Sequence, residues 1–175
     1  MATPCIIFIT GMPGAGKTWW GRRLAAHYHL PFTDLDDYVA QREQASIPAL
    51  FAQYGEAGFR EREAAALVEL IATTSTTTII ACGGGTPCHG ANLQLMKQAG
   101  TVIYLQVTIP TLLANLEQDT TQRPLLKNRG DLSKYLQTLL QKRTPYYAKA
   151  HHILHTADIS LTTFGQIISS CINRQ

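Results

Sequence analysis

The sequence predicts an α/β fold, a parallel sheet covered by helices on both faces, and three observations predict it. Short apolar runs rich in β-branched residues alternate along the chain with longer stretches of helical period, the order that builds a parallel sheet. The first run, "CIIFIT" at residues 5–10, shows no polar alternation, as in a strand buried on both faces. Directly behind it stands a glycine-rich loop, "GMPGAGKT", and then a segment of helical period.

The elements follow in order. Over residues 17–29 the apolar positions Trp20, Leu24 and Tyr28 recur every four residues, which predicts the first helix. "PFTDLDD" at 31–37 reads as a second short strand ending in acid, with helical character resuming over 38–44. Two helical stretches, around 47–54 and from 59 to about 71, are separated by "GEAG". The threonine-rich 72–78 leads into a third strand and a second glycine turn, "TIIACGGG". "TVIYLQV" at 101–107 is the fourth strand, between helical patterns at 91–98 and 111–116. Residues 118–132 are polar, contain proline and glycine, and lack periodicity, so a mobile loop is expected there. A helix at about 131–149, a weak strand at 152–155 and a helix near 164–172 complete the chain, with no internal repeat.

Composition limits the classes of function. The 175 residues, 45% hydrophobic and 15% charged, suit one globular domain over 1–175. A net charge of +3 is spread over scattered lysines and arginines, which speaks against nucleic acid as a partner and for small anions. The four cysteines are far apart and make no CxxC spacing, so reduced thiols are expected. No basic leader precedes the first apolar run, and no run reaches bilayer length. A cytoplasmic chain with no membrane partner is expected, and without heptads, a monomer. His151, His152 and His155 have no acidic or cysteine partner at ligand spacing, so no metal site is expected from them.

"GMPGAGKT" fits GxxxxGK[ST] at Gly11, Gly16, Lys17 and Thr18, in the strand–loop–helix context that makes the motif specific. Glycines let successive backbone N–H groups turn toward a polyphosphate, and the helix starting near Lys17 adds the positive end of its dipole. Lys17 would reach the β- and γ-phosphates of a nucleoside triphosphate and the Thr18 hydroxyl would bind Mg²⁺.

The acceptor must be read elsewhere. "DLDD" sets Asp34 and Asp36 two apart at the expected end of the second strand, beside the ligand crevice of such a sheet. There a carboxylate can orient a hydroxyl and take its proton; equally, Asp36 or Asp37 could cap a helix. Arg60 and Arg143, each at a helix end in this reading, carry guanidinium forks suited to carboxylate or phosphate. Gly83, Gly84 and Gly85 offer backbone that a ligand can approach closely.

"GMPGAGKT", "DLD", "FRERE", "CGGG", "RPLL" and "KRTPYY" stand in the order and spacing of shikimate kinase, which the chain resembles from end to end. The resemblance implies a P-loop kinase of the nucleoside-monophosphate-kinase-like branch, a three-layer α/β/α fold with a five-stranded parallel sheet in the order 2-3-1-4-5. A substrate-binding helical region at about 36–63 and a lid at about 118–131 come with it. The family transfers the γ-phosphate of ATP to the 3-hydroxyl of shikimate, on the route to chorismate and the aromatic amino acids. By motif, Gly14, Ala15, Gly16, Lys17, Thr18 and Trp19 would contact ATP. Mg²⁺ would be held by Thr18 and, through water, Asp34. Asp36 would hold shikimate hydroxyls and act as base, while Arg60 and Arg143, with Gly84 and Gly85, would clamp the carboxylate and Glu63 would brace the arginines. Arg123 of "RPLL" would swing onto the transferring phosphate.

Three departures accompany the likeness. Residues 113–122 contain no basic residue, where the family often carries an arginine stacked on adenine. Ala81 stands where some relatives have serine, and Trp19 and Trp20 replace smaller residues. A kinase for gluconate or a nucleotide would share the phosphate loop but has less reason to keep Asp36, Arg60, Gly84 and Arg143 together, and against a nucleotide-binding relative without turnover stand Lys17, Thr18, Asp36 and Arg123, all present.

Overall fold

The computed structural model describes residues 4–118 and 132–172. Five strands form one parallel sheet: β1 Ile6–Gly11, β2 Phe32–Asp34, β3 Thr78–Ala81, β4 Gly100–Gln106 and β5 His152–His155. Their spatial order is β2-β3-β1-β4-β5, as the resemblance implies. β1 is central, paired with β3 on one side and β4 on the other, and every one of its residues is buried; Ile9 registers with Ala81 on one side and with Ile103 on the other.

Alternation along β1 divides the core into two layers. Ile7 and Ile9 join a cluster with Leu24 of α1 (Lys17–Tyr28), Leu112 of α5 (Ile109–Gln118), Leu136 of α6 (Leu132–Tyr147) and Phe164 of α7 (Leu161–Ile172). Ile6 and Phe8 face the other way, onto Leu35 and Val39 of α2 (Leu35–Glu43), Leu67 of α3 (Ile47–Thr73) and Met96 of α4 (Asn92–Ala99). The middle of the sheet is thus covered on both faces, and β1, β3 and most of β4 read as continuous apolar runs for that reason, whereas the edge strands β2 and β5 are only partly buried.

Several expectations change in detail. The second strand ends at Asp34, and Asp36 lies in the first turn of α2. The cause is local: Asp34 Oδ1 accepts the Asp36 backbone N–H at 3.0 Å and starts the helix, so the cap is Asp34 and neither Asp36 nor Asp37. "GEAG" does separate two helical stretches, by a kink at its first residue rather than by a loop. Only Gly55 departs, at φ 67° and ψ −175°, and the second helical stretch of α3 starts directly after it, with Arg60 near its beginning. The expectation of four reduced thiols is corrected at one pair, since Cys5 and Cys171 are joined as a disulfide, while Cys82 and Cys88 are free. No described helix is long and apolar enough to cross a membrane.

Candidate active site

The strands all point their carboxyl ends to one edge, where β1, β2 and β3 deliver the site. β1 ends at Gly11, and the loop reaches α1 through Gly14 and Gly16, both left-handed at φ 83° and 82°. Only glycine adopts such angles routinely. Lys17 Nζ folds over the loop to donate to the Met12 carbonyl at 3.0 Å, and Asn115 of α5 holds the loop from outside by donating to the Gly14 carbonyl at 2.8 Å. A cavity of about 580 Å³ lies on this loop, lined by Gly14 to Trp20 with Asn115 and Gln118.

β2 brings the first carboxylate to the loop. Thr18 Oγ1 donates to Asp34 Oδ2 at 2.6 Å, so the hydroxyl and the carboxylate expected to share a metal are already side by side. Among the described residues no group of three or more His, Cys, Asp or Glu could hold a metal. A hydroxyl and one carboxylate still fit Mg²⁺, which completes its octahedron with water and phosphate oxygens rather than with an all-protein cage.

Asp36 stands one step further along the edge. Burial pushes its pKa up from 3.8 to about 6, the charges of Glu63 and Asp34 add to the rise, and Lys17 and Arg60 offset part of it. A Cβ on Gly83 would lie 3.2 Å from Asp36 Oδ1 and 2.6 Å from Glu63 Oε1, so the turn after β3 passes close by both acids without a side chain to displace them.

Glu63, fully buried, organises the far side. Its Oε2 accepts from Arg60 Nη1 at 2.7 Å and its Oε1 from Thr86 Oγ1 at 2.6 Å. Arg60 is thereby aimed at the glycine turn, where a Cβ on Gly85 would collide with its guanidinium. From the opposite side α6 brings Arg143, and a Cβ on Gly84 would lie 2.7 Å from its Nη1. That Nη1 is buried and has no hydrogen-bond partner among the described residues. Such a donor costs about 1–3 kcal/mol when left unmade, and two guanidiniums converging on a glycine backbone form a receptor for an anion.

The structure therefore gathers Gly14 to Thr18, Asp34, Asp36, Arg60, Glu63, Gly84, Gly85 and Arg143 at one edge. Trp19 lines the loop cavity. Arg123 and the rest of the expected lid through residue 131 lie outside the described residues. Two contributors were missed in the sequence. Thr86 shares Glu63 with Arg60, and Tyr147, within the quoted "KRTPYY", donates its hydroxyl to the Gly84 carbonyl at 2.6 Å. Burial holds the Tyr147 phenol well above its usual range, so it stays protonated as a donor. Cys88 is pushed up to about 11 by burial, which leaves a thiol rather than a reactive thiolate.

The sequence and the fold both recur in known proteins. The family model described as shikimate kinase matches residues 13–174. A shikimate kinase of Bacteroides fragilis is 39% identical over 149 residues, covering 84% of this chain and 82% of the relative. The crystal structure of shikimate kinase from Bacteroides thetaiotaomicron superposes with a TM-score of 0.87 at 32% identity, covering 94% of this chain and 98% of that one. Shikimate kinase from Acinetobacter baumannii, solved in complex with shikimate, gives a TM-score of 0.86 at 34% identity, covering 97% and 95%.

Proposed function

The chain belongs to the shikimate kinase family, and on that premise we propose how its residues move the γ-phosphate of ATP to the 3-hydroxyl of shikimate, giving shikimate 3-phosphate and ADP. The observation that carries the assignment is the pair Arg60 and Arg143 facing Gly84 and Gly85, with the Arg143 Nη1 donor unmatched among the described residues. A carboxylate placed there would be held by two forks, and a hydroxylated ring attached to it would extend toward Asp36 and the phosphate loop.

Backbone N–H groups from Gly14 to Thr18 bind the phosphates of ATP, and Lys17 exchanges the Met12 carbonyl for the β- and γ-oxygens. Thr18, and Asp34 through water, are the residues that would hold Mg²⁺, which when bound neutralises charge on the phosphate oxygens. Asp36 binds shikimate hydroxyls, orients the 3-hydroxyl and takes its proton as the phosphoryl group transfers. A base titrating near 6 is mostly ionised at neutral pH, yet basic enough to accept a proton. Glu63 and Thr86 keep Arg60 in place, and Tyr147 fixes the Gly84 carbonyl so that the neighbouring backbone faces the substrate. Arg123 would come onto the transferring phosphate from a lid at 118–131, whose closure keeps water from accepting the phosphate.

In this reading residues 1–175 form a single kinase domain, with a substrate-binding region at about 36–63, acting as a monomer in the cytoplasm. The Cys5–Cys171 pair lies at the amino edge of the sheet, opposite the site, so reduction there leaves the machinery in place. Purified protein with Mg²⁺ and ATP should release ADP on addition of shikimate and not of gluconate or a nucleoside monophosphate. Release with either of the latter, and none with shikimate, would reassign the acceptor.

A further inference from the structure

The cavity on the phosphate loop has an aromatic wall. Trp19 and Trp20 line it beside Gly16, Thr18, Asn115 and Gln118. Trp19 is 56% exposed, a large apolar surface to leave in water. Its ring is nonetheless held in place. It stands perpendicular to Trp20 at 4.8 Å, Trp20 packs on Phe164 of α7 at 5.3 Å, and the Arg23 guanidinium lies 5.1 Å from the Trp19 centroid. A second cavity of about 550 Å³, lined by Thr18, Trp19, Arg22 and Arg23, adjoins the same residue. The indole therefore projects between two open spaces, supported by neighbours rather than covered by them.

In a triphosphate seated on the loop, Lys17 takes the β- and γ-oxygens and the loop backbone cradles the α- and β-phosphates, so the sugar and base carried by the α-phosphate extend into the same cavity, which Trp19 and Trp20 also line. Among the described residues lining this cavity, Lys17 is the one basic side chain, and α5 presents the amides Asn115 and Gln118. The amides present only a small planar group and the lysine is committed to phosphate. Among the described lining residues only the tryptophan pair offers an aromatic face to a flat ring. We propose that Trp19, held upright by Trp20 and Arg23, is the stacking platform for the nucleobase of the phosphoryl donor, a role that rests on the assignment of ATP to this loop. Stacking engages a face that every base possesses, so Trp19 is a positioning residue for the donor and has no part in acceptor binding.

The test compares Trp19→Ala, Trp19→Phe and the parent. KM for ATP should rise about tenfold in Trp19→Ala, the order of one lost base stack, with KM for shikimate unchanged and with Trp19→Phe recovering most of the loss. Inorganic tripolyphosphate, which has the charges and no base, should inhibit the parent and Trp19→Ala equally. An ATP KM at the parental value overturns the stack, and so does a tripolyphosphate inhibition constant that rises in step with the KM. Calorimetric ATP binding separates the two assignments. A parent that binds ATP without phosphorylating shikimate overturns the acceptor, whereas Trp19→Ala binding ATP as tightly as the parent overturns the platform.

Discussion

Asp36 shows how one carboxylate couples activity to stability. Burial, then the charges of Glu63 and Asp34, raise its folded pKa from 3.8 to about 6 against the opposing pull of Lys17 and Arg60. Between those values the folded protein binds the proton more tightly than the unfolded chain. The contribution of Asp36 to stability is therefore greatest below about 3.8 and falls as pH rises through about 6. At neutral pH the ionised carboxylate costs up to ~3 kcal/mol. Asp36→Asn should then melt higher than the parent at pH 7.5 while kcat drops about a hundredfold or more, and the thermal advantage should shrink toward pH 4. In the parent, kcat/KM for shikimate should fall below about pH 6, because the free enzyme loses its base. Near-normal turnover in Asp36→Asn would remove it from both the base and the orienting role. Arg60 makes the complementary case. Its fork already gives one arm to Glu63, so Arg60→Lys keeps the charge but cannot serve Glu63 and a substrate carboxylate together. We expect KM for shikimate to rise about tenfold or more, in line with ~1.5–3 kcal/mol for a charged hydrogen bond; a parental KM would refute the clamp.

At the scale of elements, α3 positions half of the acceptor site, and Gly55 decides how it runs. Before the break Leu50 is buried and Phe51 stacks on Phe59 at 4.3 Å; after it come Arg60 and Glu63. No described atom lies within 4 Å of where a Gly55 Cβ would sit. Gly55→Ala therefore isolates a pure backbone effect, because φ 67° with ψ −175° is a region essentially reserved for glycine. It should lower the stability measured by urea unfolding by ~1–3 kcal/mol and leave ATP binding intact; an unchanged urea midpoint would show that the helix runs through Gly55 without that geometry. The same helix shows what was legible in the sequence. "GEAG" announces a break, but which glycine bends depends on packing, and Gly58 stays helical. The phosphate loop was fully legible, since its glycines, lysine and threonine answer to conformational and charge requirements met within eight consecutive residues. Thr86 and Tyr147 were not. Their partners, Glu63 and Gly84, lie 23 and 63 residues away along the chain, and no local pattern marks a hydroxyl for a distant carboxylate or carbonyl. Asp34 is legible in the sequence as a residue beside the metal, but not as the cap of α2, because that task depends on the folded approach of Asp36 N–H to its Oδ1.

The whole molecule links these parts through ligand binding. The sheet order brings the phosphate loop after β1 and the glycine turn after β3 side by side, while α6 closes the turn with Arg143, only 8% exposed. Folding without substrate thus buries a guanidinium nitrogen that lacks a partner among the described residues, and the substrate carboxylate would supply one. Stability and affinity trade against each other at this residue. Arg143→Met keeps much of the side-chain length and removes the buried charge, so the free protein should melt higher than the parent, by the equivalent of ~1–3 kcal/mol. In the parent, shikimate at a hundred times its Kd should add ~2.7 kcal/mol, a rise of roughly 5–10 °C for a chain of this size. Arg143→Met should lose most of that rise at the same shikimate concentration and keep the rise produced by ATP, whose loop it does not touch. If shikimate stabilises Arg143→Met as much as the parent, the carboxylate is held elsewhere and the unmatched nitrogen has another partner. A loss of both shifts would instead mean that Arg143 holds the whole carboxyl edge of the sheet together, and that the anion receptor and the phosphate loop act as one unit.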